Sequence, residues 1–181
     1  MTKEFELIGR NASNLRGAIG EIIAWDALRK MGIHAFKIGV WNFFPEGYPY
    51  WRGELNNEHR FLTKKQAEFV ENKVRNNIME YDFVGVKLKH GQPYCVEVDN
   101  INDFMDGKTI GKAPSIEKVE DVYLIEVKAG DPKTVRHYAE NPAKAFTLES
   151  VEKAKGIGFK ILLVIVELLE NWKCRISYRE L

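Results

Sequence analysis

The segment Val122-Tyr-Leu-Ile-Glu-Val-Lys128 constrains this chain most, because it sets two opposite charges at the end of an otherwise apolar run. Val, Tyr, Leu and Ile in succession favour a buried strand, where a charge is costly unless a partner or an ion compensates it. Side chains alternate between the faces of a strand, so Glu126 and Lys128 emerge together on one face, two positions apart. A second apolar run, Ile161-Leu-Leu-Val-Ile-Val166, predicts another buried strand over 159–167, and 173–178 reads as a closing strand.

At 181 residues the chain reads as one domain over 1–181, long enough to bury a full core. A formal net charge of +1 excludes a generally basic surface, so any contact with a polyanion must come from local patches. Cys95 and Cys174 are too few and too far apart for a disulfide scaffold or a cysteine zinc site, and they predict reduced thiols in a cytoplasmic setting. The opening Met-Thr-Lys-Glu-Phe-Glu lacks the apolar stretch of a signal peptide, and the longest apolar run is too short to span a bilayer. No membrane partner is expected.

Ser13 is a candidate cap for a helix running to about Met31, with Gly32 as its stop. Gly17, Gly20, Ala24 and Ala27 form a small-residue face that lets another element approach. Glu21 stands at helical spacing from Gly17, Ala24 and Leu28, a carboxylate among small and apolar neighbours. A strand over 33–40 follows, then a turn-rich stretch holding Trp41, Phe43, Phe44, Tyr48, Tyr50 and Trp51. Thr63 and Gln66 form a capping box for a helix from Lys64 to about Glu80 with a polar outer surface. Residues 82–88 and 94–98 read as two strands joined by a turn at His90-Gly91-Gln92-Pro93. A polar loop over 100–120 precedes the Val122 strand, a turn lies at Gly130-Asp131-Pro132, and a helix is predicted over 142–155. The order is that of a mixed α/β domain.

Glu21 on the first helix, Asp82 opening a strand, and Glu126-Val-Lys128 closing another, followed by helix and strand, form an ordered set. This arrangement resembles the PD-(D/E)xK nuclease superfamily, which includes type II restriction enzymes and archaeal Holliday-junction resolvases. Tyr81 stands where the name-giving proline would be, and the gap from Asp82 to Glu126 is long. The resemblance implies a restriction endonuclease-like mixed β-sheet flanked by helices, with an aromatic-rich insertion; the additions span about 41–80 and 100–120. It also implies metal-dependent hydrolysis of phosphodiester bonds in DNA, with Asp82, Glu126 and Glu21 around Mg²⁺ or Mn²⁺. Lys128 is then the group that orients water or stabilises the developing charge. Members of this superfamily commonly act as homodimers, which sets the same expectation here.

A rival assignment uses Glu97 and Asp99, which close the apolar Tyr94-Cys-Val at a more usual distance from Asp82 but lack the lysine. Glu126 is favoured because a lysine accompanies it and because a helix and a buried strand follow. Taken singly, each group has a plainer reading: a solvated strand edge, a surface helix carboxylate, a cap before a strand. Lys133, Arg136 and His137, just after Lys128, are the best phosphate-contact candidates, with Arg16 beside the first helix. Gly107-Lys-Thr109 lacks the upstream glycine of a phosphate-binding loop, and His34, His59, His90 and His137 lack paired metal-ligand spacing. The alternative function is a catalytically inactive nucleic-acid-binding or assembly module on the same fold.

Overall fold

The computed structural model describes residues 10–38, 60–75, 80–95, 97–108 and 113–181. The aromatic-rich stretch over 41–59, the end of the predicted strand past Ile38 and the helix extension over 76–79 lie outside these residues. Two apolar runs make the centre of the sheet: β3 (Val119–Gly130) and β4 (Lys160–Leu168) run parallel, pairing Glu126 with Leu163. Each has buried residues at consecutive positions, because both faces of the sheet are covered. β2 (Phe83–Leu88) adds antiparallel to β3, and β1 (Ile33–Lys37) antiparallel to β2, while β5 (Cys174–Glu180) closes the other edge beside β4. Among the described residues the result is a five-stranded mixed sheet in the order β1-β2-β3-β4-β5, flanked by helices.

Helix α1 (Arg10–Lys30) covers one face, burying Ala24 and Leu28 against Ile33, Ala35, Phe83, Ile125, Val127 and Val164. It starts earlier than Ser13, since the residues before the cap candidate continue the helix, and Gly32 ends it at φ +76. On the opposite face, α2 (Lys64–Arg75) packs Ala67, Phe69 and Val70 over Val84, Val86, Leu124 and Ile161. The capping box at its start is formed: the Thr63 amide donates to Gln66 Oε1 at 3.0 Å, and the Gln66 amide to Thr63 Oγ1 at 3.2 Å. Phe69 of this helix is buried.

Among the described residues the expected hairpin over 82–98 does not form. Lys89–Gly91 is a short 3-10 turn with His90 at φ 59, and the chain at 94–95 and 97–98 makes no strand of the sheet. β2 finds its partner in β3 instead, whose longer apolar run offers the better buried ladder. The polar loop contains α3 (Ile101–Met105), capped by the Asn100 side chain. The connection from β3 to β4 holds two helices where one was expected. α4 (Pro132–Glu140) begins at the predicted turn, where Asp131 accepts from the Lys133 and Thr134 amides and Pro132 takes the first helical position. α5 (Leu148–Gly156) then leads into β4.

Candidate active site

The C-terminal ends of β1 and β3 and the residue before β2 meet at one end of the sheet, and Asp82 joins them. Its amide donates to the Ile125 carbonyl at 2.8 Å and its carbonyl accepts from the Ile38 amide at 2.8 Å. This clamp fixes the side chain: Asp82 Oδ2 accepts from the Val127 amide at 2.7 Å, and Oδ1 accepts from the Lys37 ammonium at 3.1 Å. Tyr81 anchors the strand from behind, its buried hydroxyl 3.1 Å from Ser150 Oγ on α5.

Glu21 reaches the same point from α1. The contact that sets this approach is Gly20, where a Cβ would lie 1.9 Å from the Cβ of Ala129 on β3. Gly17, the other glycine of the small face, has open space instead. Glu21 is 5% exposed and pairs with Lys37, whose side chain has no exposed surface. Lys37 lies opposite Phe83 in the sheet register, on the α1 side, with its ammonium 5.2 Å from the Phe83 ring. Glu126 and Lys128 pair with each other on the other face, and the Tyr138 ring of α4 stands 5.5 Å from the Lys128 ammonium.

The structure therefore brings Glu21, Asp82, Glu126 and Lys128 together, and adds Lys37 and Tyr138. Sequence reasoning passed over Lys37, although alternation from Ile33 and Ala35 points it into the core. Tyr138 was missed because no element was assigned between the turn at Gly130-Asp131-Pro132 and residue 142, despite the Asp131-Pro132 start signal for α4. Of the flanking cations, Arg16 is exposed and helps hold the Asp131 carboxyl below its usual range, after hydrogen bonds from Thr134. Lys133 and His137 are exposed on α4, His137 with its ring 3.8 Å from Tyr138, while Arg136 pairs with Glu140 at 2.8 Å. The rival Glu97 is engaged elsewhere, by Lys118 at 2.5 Å and Arg60 at 3.3 Å, and Asp99 is exposed.

Burial and the neighbouring Asp82 charge push both deeply placed glutamates up, Glu21 to about 7 and Glu126 to about 9, against the opposing pull of Lys37 and Lys128. Glu126 Oε2 is buried with no hydrogen-bond partner among the described residues. Among those residues no three of His, Cys, Asp or Glu form a group that could hold a metal ion. Asp82 and Glu126 would be the oxygen donors to a divalent cation, with water completing the shell, since a small hard cation such as Mg²⁺ can bind through one or two carboxylates and keep several waters. The orphaned Glu126 oxygen is what such an ion would satisfy.

No family model, curated protein or solved structure matches this chain. Among the described residues no helix is long and apolar enough to cross a membrane.

Proposed function

We propose that the chain is a metal-dependent nuclease that hydrolyses phosphodiester bonds in DNA, as an endonuclease with a restriction endonuclease-like fold. The observation that carries this reading is the buried Glu126 oxygen without a partner, beside Asp82 and Lys128 at one end of the sheet. Asp82 and Glu126 would hold Mg²⁺ or Mn²⁺, with Glu21 in support. Bound there, the ion would acidify a water and offset charge on the scissile phosphate. Asp82 is oriented for this by the Val127 amide, which leaves its carboxylate little freedom to rotate. Lys128, held between Glu126 and the Tyr138 ring, would orient the attacking water or donate a hydrogen bond to a non-bridging phosphate oxygen, while the water oxygen bonds to phosphorus, its proton passes to solvent, and the bridging P–O bond breaks to leave an alcohol and a phosphomonoester. Arg16, Lys133, Arg136 and His137 would contact the DNA backbone beside the site. A homodimer acting in the cytoplasm, one site per strand, completes the proposal.

One feature favours a second reading, a catalytically silent nucleic-acid-binding module: Lys37 and Lys128 already neutralise much of the acidic cluster. Incubation with supercoiled, linear, single-stranded and branched DNA, in Mg²⁺, Mn²⁺ or EDTA, separates the two. Metal-dependent cutting that Lys128→Ala abolishes supports the nuclease. Salt-sensitive binding without cutting supports the silent module.

A further inference from the structure

A lysine side chain with no exposed surface is rare, and its ammonium must be held by partners or lose its charge. Lys37 is held on two sides, by Glu21 from α1 and by Asp82 Oδ1 from the start of β2. Its stem is fixed as well, since β1 pairs with β2 through Lys37 and the ammonium lies by the Phe83 ring. The ammonium cannot swing to solvent without withdrawing a buried side chain.

We infer that Lys37 is an intramolecular counter-ion that competes with a divalent cation for Glu21 and Asp82, and so sets how weakly the site holds metal. The inference rests on the metal site of the proposed function. Asp82 is the shared group, because one oxygen faces Lys37 and the other sits beside the Glu126–Val127 peptide. A fixed positive charge 3.1 Å from Asp82 opposes a second cation on the same carboxylate. Two buried oxygens have no hydrogen-bond partner among the described residues: Glu21 Oε2, which faces the Lys37 ammonium, and Glu126 Oε2, on a side chain 7% exposed, whose other oxygen takes the Lys128 ammonium. Metal would therefore enter on the Glu126 side, against the field of Lys37.

The test is Mn²⁺ binding by titration calorimetry in metal-depleted buffer, with thermal unfolding alongside. Four chains are compared: wild type, Lys37→Met, Lys37→Arg and the double variant Glu21→Gln/Lys37→Met. Lys37→Met should bind Mn²⁺ about tenfold or more tightly than wild type, since removing a nearby like charge relieves repulsion. Lys37→Arg should stay near wild type, and so should the double variant, which removes one formal charge of each sign. Equal affinity in Lys37→Met and wild type, weaker binding in Lys37→Met, or no binding by either, overturns the inference. If Lys37→Met folds only with Mn²⁺ present, that dependence supports it, whereas a chain that Mn²⁺ fails to rescue overturns it. Tighter Mn²⁺ binding without any DNA cutting would sink the nuclease reading alone. Metal-dependent cutting with Mn²⁺ affinity indifferent to Lys37 would sink this inference alone.

Discussion

The Lys37 ammonium lies 3.1 Å from the Asp82 carboxylate although 45 residues separate them, and it is the fully buried one of the two. The pair ties the end of β1 to the start of β2 and, through Glu21, ties both to α1. Removing one member of such a group leaves charge buried without compensation. Lys37→Met in metal-free buffer should therefore lose about 3–5 kcal/mol of stability. Urea unfolding measures it, and a loss no larger than that of an exposed lysine variant would refute the structural role.

Gly20 sets the distance between α1 and β3. Gly20→Ala would place a methyl group against Ala129, and the helix must shift to relieve the clash. Overpacking of this kind costs about 1–3 kcal/mol. Because Glu21 is the next residue, the same change should weaken any metal-dependent cutting, whereas Gly17→Ala, with open space inside the helix, should leave cutting unchanged and raise stability by up to about 1 kcal/mol. Thermal unfolding and a plasmid-cutting assay compare the two.

Glu21 and Glu126 make stability depend on pH. Their folded values, about 7 and about 9, lie above the ordinary 4.5, so the folded chain binds more protons than the unfolded one across that window. The stability they contribute is fully present below 4.5 and is lost as pH rises through about 7 and then about 9. Glu126→Gln should flatten the upper part of this decline. Denaturant midpoints across the window decide it, and an unchanged slope would count against the burial argument.

Gln66 links two elements. Its side chain accepts from the Thr63 amide at 3.0 Å and donates to the Gly158 carbonyl at 3.1 Å, before β4. Gln66→Ala loses both bonds within a buried site, at about 1–3 kcal/mol. A smaller loss, of a few tenths, would mean that water replaces both partners.

Glu97 distinguishes the two acidic assignments. It pairs with Lys118 and Arg60, so Glu97→Gln should leave metal-dependent cutting intact while Glu126→Gln abolishes it. The reverse outcome would move the catalytic carboxylate to residue 97.

The two apolar runs determined by themselves that this chain builds a sheet around residues 122–128 and 161–166, because consecutive β-branched and aliphatic side chains have few other ways to leave water. Alternation put Glu126 and Lys128 on one face, and the Thr63–Gln66 and Gly32 signals marked helix ends through local hydrogen bonding and backbone sterics. Strand pairing was not local. Both 94–98 and the Val122 run could have paired with β2, and only the folded sheet shows β3 beside it. The same holds for Lys37, whose inward direction was legible but whose partners, Glu21 and Asp82, were not. Charges distant along the chain meet only when α1 and β2 dock against the same strands, so tertiary packing decided which ammonium answers which carboxylate.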